Sequence, residues 1–272
     1  MSGTVSPRMM LNRNQGAGHT DRRDAWWLEP VLTVLALGLF TAYAIWSVMQ
    51  NNHYVWGPYL SPFYSPNLAE MFPAIKDWFA FSPAFLVLWI PLGFRGTCYF
   101  YRRAYYRAFF WDPPACAVDE PRGQGYSGER AFPFVFQNLH RYFFYLAALL
   151  ALLHWTHAFQ AFFYQGQFGM GVGTFVILLD AVFLTLYVFS CHSWRHLLAG
   201  KKDCFSCDNF TKVRHKAWLK QTKLNEHHMF FAWVSLFTVG FADFYVRLVA
   251  SGAFQEWNTW GLLAGNVLKA AH

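Results

Sequence analysis

TFVILLDAVFLTLYVFSCHSWRH, residues Thr174–His196, decides the fold. From Thr174 to Phe189 the only charged side chain is Asp180, and no polar face recurs at helical spacing. A helix lying on a soluble core needs such a face, whereas a segment crossing lipid needs about 20 largely apolar residues. The run therefore reads as a membrane span, from about Thr174 to Leu198. Its end carries different chemistry: Cys191, His192, Trp194, Arg195 and His196 follow one another closely, and Cys204 and Cys207 lie in the basic loop beyond.

Four further apolar runs flank this one, at about Trp27–Met49, Trp78–Phe94, Phe134–Phe163 and His228–Leu248. The expectation is an all-α polytopic membrane protein, a bundle of five transmembrane helices. Residues 1–25 read as a disordered cytoplasmic tail, 26–252 as the bundle and 253–272 as an external amphipathic tail. Pro83 and Pro91 make the second span short or kinked. Pro58, Pro62 and Pro66 interrupt the connection before it, which reads as a folded external loop. The run from Tyr99 to Arg107 looks like an interfacial belt, with rings at headgroup level and arginines among phosphates.

The chain has 272 residues, 55% hydrophobic, 21% aromatic and 14% charged. An ordinary globular domain carries about 25% charged residues. The net charge of +7 does not point to nucleic acid, because the basic residues border apolar spans and no nucleic-acid motif is present. Of the 22 Lys and Arg, 19 fall before the first span, in Arg95–Arg141 or in Arg195–Lys223. By the positive-inside rule the N-terminus is cytoplasmic and the C-terminus external. The five cysteines, at 98, 116, 191, 204 and 207, then lie at a reducing face, as thiols or ligands and not disulfides.

His192 and His196 share a helix face and can reach one metal, and Cys204 and Cys207 have the C-x-x-C spacing of thiolate sites. Two imidazoles with two thiolates are the donors of a Rieske-type [2Fe–2S] cluster. On a regular helix Cys191 points about 100° from His192, so it joins only if the span unwinds there. The plainer reading makes all of these polar residues at a membrane boundary. His140 shares a depth with Cys191 across antiparallel spans, as a ligand or a quinone contact. Arg141, Trp194, Arg195 and His228 are further candidates for a quinone pocket with apolar walls and polar tips. His154 and His157 read as packing residues. Asp180 and Asp243 are costly in lipid and should face the bundle interior, for proton uptake or an ion pair.

Several segments carry a family resemblance. They are Cys191-His192-Ser193 with Arg195-His196, Pro113-Pro114-Ala115-Cys116-Ala117-Val118, Tyr99–Arg107, His140-Arg141-Tyr142-Phe143 after Asn138, and Asp243 with Tyr245-Val246-Arg247. Together they resemble the single membrane-anchor subunit of bacterial succinate dehydrogenase, in the five-span form with a Rieske-like cluster in place of haem. The resemblance implies a multi-pass protein of the bacterial inner membrane, partnered by a flavoprotein subunit and an iron–sulfur subunit. It implies electron transfer through a [2Fe–2S] cluster to menaquinone or ubiquinone, with no succinate chemistry in this chain. It matches His192, His196, Cys116 and Cys191 to ligands, which makes Cys116 with Cys191 the rival of the C-x-x-C pair. A haem b anchor, using His140 or His228 with His192, and a transporter using Asp180 and Asp243 are the alternatives.

Overall fold

The computed structural model describes residues 16–75, 82–121, 130, 132, 134–200 and 202–261. Much of the expected N-terminal and C-terminal tails therefore lies outside the described residues. Helix α1, Leu28–Gln50, ends where Asn51 turns left-handed (φ 48°) and returns its N–H to Val48. A hairpin follows, β1 Val55–Trp56 against β2 Tyr59–Leu60, then a single turn α2, Leu68–Met71. Next come α3, Phe85–Gly96, and α4, Tyr99–Phe109. A 3₁₀ stretch, Phe134–Leu139, leads into α5, His140–Gln160. After the hairpin β3–β4, Phe163–Tyr164 with Gln167–Phe168, run α6, Val172–Phe189, α7, His192–Ala199, α8, Asn209–Glu226, and α9, His228–Ala250.

Among the described residues, four helical stretches are long and apolar enough to cross a membrane: α1, Val135–Gln160, α6 and α9. The fifth, α3, is equally apolar but spans only about 18 Å at 1.5 Å per residue. The start expected for it, around Trp78, falls outside the described residues. Helix α6 packs between α5 and α9, α3 lies on α5, and α1 sits at the edge against α4. Only 11% of the apolar window of α1 is buried, against 44% of that of α9, so α1 is the lipid-facing helix and α9 the central one. The chain is an all-α polytopic membrane protein.

Two expectations at the end rich in basic residues need correction. Span four is not continuous to Leu198: α6 stops at Phe189, Cys191 is extended (φ −62°, ψ 145°), and α7 starts afresh. The basic loop after it contains an 18-residue helix, α8. Asp208 caps α8 by accepting the Thr211 N–H at 2.7 Å. Helix α8 in turn satisfies carbonyls that the broken span leaves open. Gln221 donates to the Phe189 carbonyl, and Asn225 Nδ2 to that of Ser190 at 2.7 Å.

The opposite end, expected to be external, is closed by the first loop and the chain after α9. Trp56 and Tyr59, 1% and 0% exposed, fill the space among α5, α6 and α9. Gly173 makes room, since a Cβ there would stand 2.4 Å from the Tyr59 ring. Glu256 sits buried at the N-terminus of α6, where its Oε1 accepts the Gly173 N–H and the Tyr59 hydroxyl, each at 3.0 Å. Its charge there complements the helix dipole. Asp243 of α9 faces the interior, as expected. It accepts Tyr43 (2.6 Å) and Ser47 (2.7 Å) of α1 and Ser61 of the loop, with the Arg247 guanidinium beside it.

Candidate metal centre

Cys98, His140, Cys191 and His228 meet at the end of the bundle that the basic residues mark, each at the start of a helix. Cys98 precedes α4 and Cys191 precedes α7, while His140 and His228 begin α5 and α9. The His140 Nε2 lies 3.0 Å from the Cys191 Sγ, and the His228 Nε2 3.4 Å from the Cys98 Sγ. Both sulfurs belong to one apolar cluster with Phe94, Tyr101, Phe144 and Tyr187, and each cysteine is 2% exposed.

The other ring nitrogens fix the tautomers. Thr97 spends its hydroxyl proton on the Gly93 carbonyl (2.6 Å) and stands 3.0 Å from the His140 Nδ1. An oxygen that has already donated can only accept, so Nδ1 carries the hydrogen and Nε2 keeps its lone pair. Ser190 repeats the arrangement. It donates to the Tyr187 carbonyl at 3.1 Å and stands 2.7 Å from the His228 Nδ1. Both imidazoles thus aim an unprotonated Nε2 at a thiol, and hydroxyls hold them as outer-shell partners hold metal-binding histidines. Phe94 stacks on His140 (centroids 4.8 Å apart) and Tyr187 on His228 (5.1 Å), which locks the ring planes.

Burial pushes both thiols up. The Cys191 thiol reaches about 12, with Cys98 raising it further and the N–H of Ser193 opposing. The N–H groups of Tyr101 and Phe100 oppose the same effect at Cys98. Two thiolates here therefore call for a cation to compensate them. Among the described residues, no three His, Cys, Asp or Glu are grouped as one metal ion would require. A two-iron centre differs, because each iron takes only two protein ligands. Two bare imidazole nitrogens and two thiols on four helix starts are a donor set of that kind.

The six candidate ligands named from sequence do not meet, and only Cys191 reaches the buried cluster. The break at Ser190 turns Cys191 inward and leaves His192 exposed on α7. The His192 imidazole is held below its usual range by partial burial, then by Arg195 and His196. His196 Nδ1 lies 3.0 Å from an Arg141 guanidinium nitrogen. Cys116 is exposed, and its carbonyl accepts Arg22 at 2.8 Å. Cys204 and Cys207 form a disulfide with Cα atoms 5.8 Å apart, which corrects the expectation of free thiols. The C-x-x-C turn brings them within pairing distance, and a disulfide presents no thiolate to a metal. Of the expected quinone contacts, His140 and His228 join the cluster. Trp194 stacks on Phe144 (6.1 Å), and Arg195 lies over Trp218 (4.4 Å). The sequence reading did not single out Cys98, and it named His228 as a candidate quinone contact or haem ligand.

Comparison with known proteins agrees with this architecture. The family described as "Actinobacterial succinate dehydrogenase subunit SdhC" matches residues 28–252. A solved chain of the "Mycobacterium smegmatis Sdh1 complex in the apo form" is similar at 40% identity and a TM-score of 0.79. The match covers 93% of this chain and 97% of that one. No curated protein matches. The chain belongs to the actinobacterial SdhC family and is a multi-pass membrane subunit of succinate dehydrogenase.

Proposed function

We propose that this subunit anchors the soluble part of the enzyme and passes electrons to quinone, with Cys98, His140, Cys191 and His228 holding a Rieske-type [2Fe–2S] cluster. The observation that carries this reading is the pair of imidazoles whose hydroxyl-bound Nδ1 leaves Nε2 bare and facing a thiol. When bound, such a cluster supplies a one-electron carrier whose potential its imidazole ligands raise. Thr97 and Ser190 orient the ligands, and Phe94, Tyr187 and Phe144 keep water from them. Helix starts at Cys98 and Cys191 place backbone N–H groups toward the thiolates, which favours negative charge there.

The anchor function uses the basic face of the same end. Arg102, Arg103 and Arg107 on α4 and the lysines and arginines of α8 form a positive surface for an acidic patch on the iron–sulfur subunit. Quinone is reduced at the adjoining face, where Arg141, His196, Trp194 and Arg195 combine ring walls with donors. Measurement of iron, acid-labile sulfide and the electron paramagnetic resonance spectrum of the purified complex tests the reading. The expected result is a signal of mixed His/Cys ligation that Cys98→Ser removes, with succinate oxidation by an artificial dye retained. A haem spectrum, or an unchanged signal in Cys98→Ser, would refute this ligand set.

A further inference from the structure

A second polar array lies deeper in the bundle and takes no part in the centre above. His154, 4% exposed, comes from α5, and Asp180, 0% exposed, from α6. The His154 Nε2 faces the Asp180 Oδ2 at 3.2 Å. The contact is misaligned for a hydrogen bond, and among the described residues neither atom has another partner. The opposite nitrogen, His154 Nδ1, is 3.4 Å from the buried Ser65 hydroxyl, which also stands 2.6 Å from the His157 Nδ1. Ser65 belongs to the external loop, and His157 is half-buried one turn nearer the external end of α5. On the inner side, Asp180 Oδ1 accepts the Thr238 hydroxyl of α9 at 2.9 Å. Beyond it, Ser235 accepts from Arg95 at 3.0 Å, and Arg95 donates to Tyr101 beside the metal centre.

The depths of these groups differ. At 1.5 Å per residue, His154 lies about 9 Å from the external end of α5, and Asp180 about 12 Å into α6. Ionisable groups at such depth are costly in lipid and mark pathways when they face the interior. A buried ion pair kept for stability alone gains little or nothing over apolar packing of the same volume. The line Ser65–His154–Asp180 also has the two-sided imidazole that proton transfer needs: one nitrogen toward the external loop, the other toward a carboxylate. The charged or titratable groups acting on it are His157 of α5 and Arg95 of α3, which interacts electrostatically with Asp180.

We propose that His154 and Asp180 form an intramembrane proton-transfer site, fed from the external face through His157 and Ser65. A proton binds His154 at Nδ1 as the proton on Nε2 passes to Asp180, and the ring then resets its tautomer. Reduction of one quinone takes two electrons, supplied by succinate oxidation, and two protons. Protons for that reaction enter by this line, so positive charge moves inward across part of the bilayer during turnover. Arg95 marks the inner end. The inference rests on the quinone-reducing role proposed above.

Two measurements on the whole complex in lipid vesicles test it. The first is succinate:quinone turnover under an imposed potassium diffusion potential. One charge crossing about half the bilayer changes the rate up to about sevenfold per 100 mV. The wild type should accelerate when the cytoplasmic side is negative, and Asp180→Asn and His154→Gln should respond little. Wild-type turnover indifferent to potential, or Asp180→Asn responding like wild type, would overturn the proposal. The second is the infrared carboxyl band as external pH moves between about 5 and about 8, where imidazole titrates. It needs no turnover. A change present in wild type and absent in Asp180→Asn supports the site, and its absence in wild type overturns it. Failure to reduce quinone while this band responds would defeat the quinone reading and leave the proton site standing.

Discussion

The orientation of His140 can be tested with a single atom. Thr97→Val replaces the hydroxyl that accepts from Nδ1 by a methyl of similar size. Thr97 is 8% exposed, so water cannot take the oxygen's place. A buried N–H left without an acceptor costs about 1–3 kcal/mol. The imidazole escapes that cost by moving its hydrogen to Nε2, which removes the lone pair facing Cys191. Either route penalises the liganded state. Loss of an outer-shell partner typically lowers metal affinity or activity about 10–100-fold, which corresponds to about 1.4–2.7 kcal/mol at 1.36 kcal/mol per decade. The two ranges agree. Quinone reduction and cluster content should fall together by that factor in the purified complex, while dye-linked succinate oxidation stays constant. Thr97→Ser, which keeps the oxygen, should restore most of the loss. Quinone reduction within twofold of wild type in Thr97→Val would refute the tautomer reasoning, and so would a failure of Thr97→Ser to recover.

Other outcomes follow from the same geometry. His192→Ala with His196→Ala should keep the cluster signal, because neither imidazole reaches the buried thiols; a lost signal would return the ligands to α7. Cys204→Ser should likewise leave iron content unchanged, as measured by metal analysis. Gly93→Ala should destabilise the bundle by about 1–3 kcal/mol in thermal unfolding of the complex, because the added Cβ would stand 2.1 Å from the Phe143 ring. Replacing Arg102, Arg103 and Arg107 by Gln should release the soluble subunits on size-exclusion chromatography in detergent, and a complex that stays whole would assign these arginines to lipid.

Four of the five spans were legible because lipid imposes length and composition on any helix that crosses it, and the fifth appears as the shorter apolar helix α3. The shared depth of His140 and Cys191 was legible too, since antiparallel neighbours fix it, and the two side chains do touch. The grouping of Cys98 and His228 with them was not. Periodicity describes a helix once it exists but does not show where one unwinds, so Ser190 and Cys191 read as a continuation of the span. Cys98 and His228 are 130 positions apart, and only the packing of α9 beside α3 and α4 brings them together. Their signal was positional: cysteine just before a helix, histidine at its first residue. Helix α8 escaped because its stability comes from the Asp208 cap and its contacts with α7, not from an apolar stripe.

Glu256 sets a timetable for synthesis. The first turn of α6 receives its carboxylate from a residue 83 positions later in the chain. At about 5–20 residues per second, the ribosome needs roughly 4–17 s to supply it. Until then the Gly173 N–H lacks the carboxylate that accepts it, and the Tyr59 hydroxyl has Thr174 but not Glu256 as a partner. This end therefore closes only after α9 has been made and the segment beyond it has returned to the first turn of α6. A chain stopped before that point would lack the Glu256 contacts to Gly173 and Tyr59 that close this end.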